Sequence, residues 1–255
     1  MSKDLVIKIR WGGLGDHLFH SHLPRLAKQS YGYDHVYIST FSNYNHPNTK
    51  RLVWDLNPFV DGFVDIDHPE ANFAAVPEGQ NILDAVSSFY GLIVNHTFLQ
   101  EPEIYYTPKV LPELASSVVC EFNHINSLGI PSLSSVLSYF SSNNVCIDHQ
   151  IAPFNSSQSA KSFSPVASKS STPGTLCPHK PAACLHLASI SELRPNNLEE
   201  LCDIIASCKK FFCVISGPAT LAPSLQVSAQ VLFVDGALNM FRHSQLNSYT
   251  NLTGY

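Results

Sequence analysis

Short apolar stretches alternate with longer amphipathic ones along this chain of 255 residues. Runs rich in β-branched and aromatic residues predict strands at 4–10, 35–41, 61–67, 91–95, 183–188, 211–216 and 230–235. Apolar residues that recur every three or four positions predict helices at 16–29, 48–56, 81–89, 197–208 and 219–226. Residues 111–142 also have a mainly helical pattern, with breaks at Gly129 and Pro131. Strands separated by helices favour an α/β fold built from parallel βαβ units.

A serine-rich segment interrupts this pattern. Residues 155–175 contain eight serines, two prolines and almost no large apolar side chain. Such a segment buries too little surface to order itself, which predicts a linker or flexible loop. We therefore expect a Rossmann-like domain at 1–154, a linker at 155–181 and a shortened Rossmann-like domain at 182–255.

Composition narrows the class of protein. The net charge is −5 and only 14% of residues are charged, so a surface for nucleic acid is not expected. Lys8 and Arg10 interrupt the first apolar run, and no run approaches the roughly 18 apolar residues of a membrane-spanning helix. The seven cysteines contain no C-x-x-C pair, which argues against a disulfide framework. We expect a soluble cytoplasmic protein.

The segment Arg10–His17 (RWGGLGDH) carries the most informative chemistry. It connects the first predicted strand to the first helix, where glycines let a ligand approach the backbone and a helix N-terminus offers free N–H groups. These features suit an anion or a sugar nucleotide at the carboxyl edge of a parallel sheet. Its three glycines do not fit the G-x-G-x-x-G fingerprint. The alternative is a tight turn in which Asp16 is an ordinary N-cap.

Histidines and cysteines raise the question of a metal site. His17 and His20 share a helix face that we expect to border a cleft, whereas His22 points elsewhere. Cys177–His179 and Cys184–His186 carry ligand types that suit zinc, but their spacing matches no known zinc finger. The simpler interpretation is a flexible segment beside a strand, so we predict no metal.

Four segments occur in a characteristic order. Gly12–Asp16 precedes a helix that contains a proline, and Asn57–Asp61 (NPFVD) precedes the third predicted strand. Further on, the leucine- and glutamate-containing helix at 197–208 is followed by a strand that ends in Ser216–Ala222 (SGPATLA). In this order the segments resemble the heptosyltransferases of glycosyltransferase family 9.

The resemblance covers most of residues 1–150 and again 190–235. It implies a GT-B fold, in which two Rossmann-like lobes face each other across a cleft, here with the second lobe reduced. The first lobe would bind a glycan acceptor and the second a nucleotide-sugar donor. The implied reaction inverts the anomeric centre and needs no metal or other cofactor. A role in lipopolysaccharide synthesis would follow, and peripheral contact with a membrane stays open.

The resemblance also implies roles for individual residues. Asp16 matches the general base that takes the proton of the attacking hydroxyl, and we expect the helix N-terminus to keep it ionised. Ser216–Thr220 matches the loop that binds the diphosphate. Arg194 follows a strand of the second lobe, where it faces either a diphosphate or solvent. The predicted acceptor-binding residues are Gly13, Gly15, His17, His20 and Arg25, and the predicted donor-binding residues are Arg194, Ser216, Gly217, Pro218 and Thr220.

Two departures from the family pattern keep an alternative open. Ile215 stands where the family has an aspartate, and Leu221 or a neighbour replaces its histidine. The first hypothesis is an inverting glycosyltransferase that moves a sugar, for example a heptose. The second is a non-catalytic or degenerate protein of the same fold. A nicotinamide-dependent oxidoreductase is disfavoured because its fingerprint is absent.

Overall fold

A computed structural model describes residues 2–71, 76, 80–92, 100–123, 129–153, 190–236 and 241–255. The strands are β1 (Asp4–Ile7), β2 (His35–Ser39), β3 (Gly62–Val64), β4 (Val118–Glu121), β5 (His149–Ile151), β6 (Ser191–Leu193), β7 (Lys210–Val214), β8 (Ala229–Phe233) and β9 (Ser248–Asn251). The helices are α1 (Leu14–Leu18), α2 (Leu23–Tyr31), α3 (Pro47–Thr49), α4 (Ile82–Phe89), α5 (Leu133–Ser142), α6 (Leu198–Ser207) and α7 (Gly217–Ser224). A π-helical segment at Lys50–Asp55 continues α3, and a 3-10 turn covers Pro112–Leu114.

The described strands form two parallel sheets. The first has the order β1-β2-β3. The second has six strands in the order β6-β5-β4-β7-β8-β9, which is the 3-2-1-4-5-6 order of a doubly wound Rossmann fold. In this order the chain leaves β4 toward one edge of the sheet and returns to β7 on its other side. The switch point between β4 and β7 is where such sheets bind their ligands, outside the carboxyl ends of the strands. The predicted α/β fold with two parallel sheets is confirmed.

The first lobe follows its predicted pattern with one change. Strands β1, β2 and β3 lie inside the predicted ranges, and α4 begins after Asn81, whose side chain accepts a hydrogen bond from the Leu83 N–H. The predicted single helix at 16–29 is wrong, because two helices, α1 and α2, replace it. Pro24 lies in the first turn of α2, where its missing N–H costs nothing, so it starts a helix rather than kinking one.

The second lobe differs more from the prediction. Residues 111–142 are not mainly helical: they contain the 3-10 turn, strand β4 and helix α5, which Ser132 caps through the Ser135 N–H. Strands β5, β6 and β9 were not predicted at all. Helices α6 and α7 and strands β7 and β8 confirm their predictions. The predicted strand at 183–188, residues 93–95 of the predicted strand at 91–95, and the serine-rich stretch lie outside the described residues.

Sheet membership changes between β3 and β4. Strands β4 and β5, which precede the serine-rich stretch, pair in the same sheet as the strands that follow it. Residues 118–151, expected in the first lobe, therefore belong to the second sheet. The second sheet has six strands, so the second lobe is not shortened as predicted. The prediction placed the boundary between the lobes at the serine-rich stretch, whereas the chain enters the second sheet earlier, at β4.

The two lobes share one hydrophobic core. Buried residues of both sheets form a single cluster, and α1 packs directly against α7. Polar contacts add to it: Arg51 pairs with Glu199 at the start of α6, with 2.9 Å between Nε and Oε1. The Asp203 carboxylate accepts hydrogen bonds from the Tyr106 hydroxyl and the Lys109 N–H. Within the described parts of the chain, no helix has the length and apolar character needed to cross a membrane.

Candidate functional site

The glycine turn between β1 and α1 is tightly packed. A Cβ on Gly12 would lie 2.7 Å from the Asn45 backbone nitrogen and 2.9 Å from that of Tyr44. Only glycine therefore fits against this neighbouring loop. The Gly13 N–H donates to Oδ2 of Asp16 at 3.0 Å. Asp16 is the third residue of α1 and reaches back over the turn, so the alternative of an ordinary N-cap is wrong.

Burial decides the ionisation of Asp16. Desolvation raises the pKa of this carboxyl to about 7, and the hydrogen bond from Gly13 opposes the shift without cancelling it. The expectation that the helix N-terminus keeps Asp16 fully ionised is therefore wrong. Helix α1 has only five residues, so its dipole is weak. A carboxyl with a pKa near 7 is half ionised at neutral pH, which is the property that a general base needs.

His17 and His20 stabilise this turn from inside the first lobe. His17 is fully buried: its Nε2–H donates to the Asn43 carbonyl at 2.8 Å, and its Nδ1 accepts from the Trp54 indole at 2.8 Å. Its ring stacks on that of Tyr44. His20 is buried too, and its Nδ1–H donates to the Asp16 carbonyl at 2.7 Å. The expected exposed helix face is absent at these two positions, because the side chains point into the lobe.

Burial keeps these histidines neutral. It lowers the pKa of His17 to about 3 and that of His20 to about 4. His22 is likewise buried, with a pKa lowered to about 3, and its Nε2 bonds the Ser87 hydroxyl. His17 and His20 therefore support the turn through packing and neutral hydrogen bonds, whereas His22 connects the start of α2 to α4. A direct contact between His17 and an acceptor would require one of its two hydrogen bonds to break.

Arg25 lies on α2, away from the glycine turn. Its guanidinium forms an ion pair with Glu103, with 2.6 Å between Nη2 and Oε1. The pair borders an open groove of about 420 Å³ that also contains Glu101 and, from the second lobe, Gln226. Since Glu103 already neutralises Arg25, the groove offers an anionic acceptor no free cation at this position. A role of Arg25 in acceptor binding stays a prediction.

The turn after β7 lies against the glycine turn of the first lobe. A Cβ on Gly217 would lie 3.3 Å from the Leu14 Cβ and 3.5 Å from the Gly15 nitrogen. A Cβ on Gly15 would lie 3.6 Å from the Gly217 Cα. Both glycines thus allow α1 and α7 to approach closely. A valine at position 217 would push the lobes apart, so its effect on nucleotide binding would not report on phosphate contact alone.

The remaining residues of the predicted donor loop surround this contact. Ser216 is half-buried, and its hydroxyl donates to the Val214 carbonyl at 3.2 Å. Pro218 is half-buried in the first turn of α7, and Thr220 is buried one turn into the helix. Ser216 lies two residues beyond the end of β7, next to the switch point. This placement puts the predicted diphosphate loop at the carboxyl edge where a doubly wound sheet binds its ligand.

Sequence reasoning missed the residue on the other side of the switch point. Glu121 ends β4 opposite Cys213 of β7, and only 4% of its surface is exposed. Its Oε1 accepts from the Asn123 N–H at 3.1 Å, while its buried Oε2 has no hydrogen-bond partner. Burial raises the pKa of this carboxyl to about 8. An acidic residue directly after Val118–Cys120 was the available signal, and the helical interpretation of 111–142 hid it.

Arg194 lies far from the switch point. It follows β6, the edge strand, which β5 separates from β4, so roughly 10 Å of sheet lies between them at about 4.8 Å per strand. Its side chain is exposed and pairs with Glu192. Donor binding by Arg194 stays a prediction. Among the described residues no group of three histidine, cysteine or acidic side chains could hold a metal ion, and Cys177–His186 lies outside them.

Comparisons with known proteins agree with this geometry at the level of the fold. No protein-family model matches the sequence, and a search of curated proteins finds no match. Among solved structures, a glycosyl transferase of family 9 from Veillonella parvula matches with a TM-score of 0.57 and 10% identity, over 98% of this chain and 86% of that one. The fold is therefore the GT-B fold of nucleotide-sugar glycosyltransferases.

Two further matches are heptosyltransferases. TibC of enterotoxigenic E. coli, in complex with ADP-D-β-D-heptose, gives a TM-score of 0.56 and 13% identity, over 98% of this chain and 64% of that one. The ADP-heptose lps heptosyltransferase II of E. coli gives a TM-score of 0.50 and 11% identity, over 97% and 90%. The predicted resemblance to family 9 is confirmed as a structural match over nearly the full chain.

Proposed function

We propose that this chain is an inverting glycosyltransferase that moves a sugar from a nucleotide-sugar to an acceptor hydroxyl. One observation carries the proposal: Asp16, a carboxyl with a pKa near 7, lies on the short helix that packs against the turn at the switch point of the second sheet. In this proposal the base and the nucleotide site belong to two turns that are in direct contact. The fold shared with family 9 structures supports the same assignment.

The reaction needs few groups from the protein. The acceptor oxygen attacks the anomeric carbon of the donor while the bond from that carbon to the diphosphate oxygen breaks. The proton of the attacking hydroxyl passes to the free carboxylate oxygen of Asp16, since the other oxygen accepts the Gly13 N–H. The negative charge leaves on the nucleoside diphosphate. Attack opposite to the leaving group inverts the anomeric centre.

We assign the diphosphate to Ser216–Thr220 on the switch-point side. The backbone N–H of Gly217, at the start of α7, is a donor suited to a phosphate oxygen. The Ser216 hydroxyl would join it by exchanging the Val214 carbonyl for the phosphate. The acceptor then lies on the side of Gly13 and Asp16. ADP-heptose is our first donor to test, because TibC was solved in complex with ADP-D-β-D-heptose. For the acceptor, the proposal names only its chemical class, a saccharide with a free hydroxyl.

A non-catalytic binding protein is the second candidate. The close contact of Gly217 with Leu14 and Gly15 favours it, because in this arrangement no ligand fits between those backbone atoms. Ile215 in place of an acidic residue points the same way. The two candidates differ in whether bound nucleotide-sugar is consumed.

The test combines binding and turnover. Thermal shifts with a panel of nucleoside diphosphates and their sugars identify the donor, since a ligand at 100 times its Kd adds about 2.7 kcal/mol to the free energy of unfolding. Release of the nucleoside diphosphate in the presence of saccharide acceptors then measures transfer. We expect Asp16→Asn to bind the donor normally and to lose at least about 100-fold in transfer rate. Donor binding without transfer by the parental protein would favour the second candidate.

A further inference from the structure

The buried carboxyl of Glu121 lies on the side of the sheet that α7 covers. Side chains alternate along a strand, so Glu121 shares a face with Val119, while Cys120 lies on the other. Val119 belongs to the same hydrophobic cluster as Ala219 and Leu221 of α7, and Cys120 belongs to a different cluster. Glu121 therefore lies on the face that α7 packs against, beside the start of that helix.

The carboxyl points toward the carboxyl edge of the sheet. Its Oε1 bonds the N–H of Asn123, a residue that lies beyond the end of β4. A side chain that reaches forward along the chain in this way is directed at the strand end rather than back into the core. The end of β4 that Glu121 occupies lies beside β7, and Ser216 follows the end of β7, so the two residues border the switch point from its two sides.

The second carboxyl oxygen remains unsatisfied there. Oε2 of Glu121 is buried and has no hydrogen-bond partner among the described residues. Leaving a buried polar atom unpaired costs about 1–3 kcal/mol, and such atoms are rare in folded proteins. A ligand atom in the crevice would supply the missing partner.

We propose that Glu121 is a donor-binding residue whose carboxyl O–H donates a hydrogen bond to a diphosphate oxygen of the nucleotide-sugar. This inference rests on the proposed function and names a group that binds its donor. The neutral form is the one that fits, because an ionised carboxylate would repel the diphosphate. With a pKa of about 8, Glu121 keeps its proton at neutral pH and has a donor to offer.

The neighbours of Glu121 other than Asp16 do not disturb this assignment. The thiols of Cys120 and Cys213 stay neutral, because burial raises the pKa of both. Helix α7 carries no titratable side chain. From α6, Glu199 pairs with Arg51, and Asp203 accepts from Tyr106. Asp16 lies on α1, which packs against α7, and its pKa near 7 means that it also ionises in this range. The change of charge is therefore assigned to Glu121 in the Asp16→Asn background, where Asp16 cannot ionise.

The test measures binding of ADP and of inorganic pyrophosphate by calorimetry, without metal, with ADP at about pH 7 and about pH 9. The terminal phosphate of ADP titrates near 6, so the charge of ADP changes little in this range. Pyrophosphate loses a further proton close to the upper pH, so the comparison between the two pH values is made with ADP, and pyrophosphate is used at about pH 7 only. For Asp16→Asn, which leaves Glu121 as the carboxyl that ionises in this range, we expect affinity to fall about tenfold between the two values, with uptake of close to one proton on binding at the higher pH. Adding Glu121→Gln to Asp16→Asn keeps a donor without a charge, so the affinity of the double variant should not change with pH and no proton should be taken up.

Glu121→Leu removes the donor and should lower the affinity at about pH 7 at least tenfold. It should not lower the melting temperature, because an apolar side chain removes an unpaired polar atom. Glu113→Gln, an exposed carboxyl in the 3-10 turn Pro112–Leu114, is the matched control and should bind as the parental protein does. Binding of ADP and pyrophosphate by Glu121→Leu at parental affinity would overturn the role of Glu121 alone. Failure of the folded parental protein to bind either ligand would overturn the donor site and the proposed function together.

Discussion

The carboxyl edges of the two sheets are built in opposite ways. At the first sheet the turn around Gly12 is filled by backbone, and both ring nitrogens of His17 have protein partners. At the second sheet β4 ends on Glu121, whose buried Oε2 has none within the described chain. At the first edge His17 and His20 hold the turn that carries Asp16, and the buried Tyr44 hydroxyl beside it also has no hydrogen-bond partner among the described residues. The edges differ in the group that is left unpaired: a tyrosine hydroxyl beside a turn filled by backbone at the first, and a carboxyl at a strand end beside the switch point at the second.

The two edges should also respond to opposite changes of pH. The first depends on buried histidines that must stay neutral, so it is sensitive to acid. The second depends on a buried carboxyl that must stay protonated, so it is sensitive to base. Each of the following predictions concerns a substitution or a pH change that acts on one of the two edges and leaves the other unaffected.

The largest effect is expected from acid on the first edge. The pKa values of His17, His20 and His22 are lowered from 6.5 to between about 3 and about 4, so the unfolded chain binds protons that the folded chain cannot. Their stabilisation is present above pH 6.5 and is lost as the pH falls toward 4. Each histidine contributes up to about 1.4 kcal/mol per pH unit in this range. Urea denaturation between about pH 7 and about pH 5 measures this slope.

A pair of variants assigns the slope to its source. His22→Gln removes one buried imidazole and should make the acid slope shallower by close to one proton. His35→Gln removes a half-exposed imidazole at the start of β2 and should leave the slope nearly unchanged. Equal slopes for both variants would show that burial of the histidines is not the cause.

The next effect concerns overpacking at the first edge. Gly12→Ala forces a Cβ into the backbone of Asn45 and Tyr44, and we expect a loss of about 3 kcal/mol in the free energy of unfolding. Gly13→Ala is the matched control, because its Cβ would meet only atoms of the Asp16 side chain and no backbone. A loss of about 1 kcal/mol or less is expected there. If both variants lose the same stability, the turn is not held by the neighbouring loop.

The smallest effect concerns the second edge at high pH. The pKa of Glu121 is raised from 4.5 to about 8, so its contribution to stability is complete below about pH 4.5 and is lost as the pH rises toward 8. The glutamine of Glu121→Gln cannot ionise, so the free energy of unfolding of this variant should increase relative to that of the parental protein as the pH rises. We expect an advantage of about 1–2 kcal/mol at about pH 9, after discounting for water that enters around the charge. A constant difference between the two proteins across this range would contradict ionisation of Glu121.

The glycine turn and Asp16 could be predicted from the sequence because their signal is local. A glycine cluster between an apolar run and an amphipathic helix indicates a ligand-binding turn in any parallel sheet. The direction of the Asp16 pKa shift could not be predicted, since the burial that causes it comes partly from α7, about 200 residues away in the chain.

The unpredicted strands share a physical reason. Strands β5, β6 and β9 are three or four residues long and contain polar side chains such as His149, Glu192 and Thr250. Their strand conformation comes from pairing with a neighbour rather than from their own pattern. Strand β4 was hidden because its four residues lie inside a longer stretch with helical periodicity. Without β4 the switch point, and with it Glu121, could not be located.

The most direct test of the central claim is the pH dependence of transfer. If Asp16 is the general base, the logarithm of kcat/KM for the acceptor, measured at saturating donor so that ionisation of free Glu121 does not enter, should rise with unit slope as the pH increases and level off above the Asp16 pKa of about 7. Circular dichroism at each pH excludes acid unfolding as the cause, and the residual rate of Asp16→Asn should be independent of pH. A parental rate that stays constant down to about pH 4, near the ordinary pKa of an aspartate, would contradict the account.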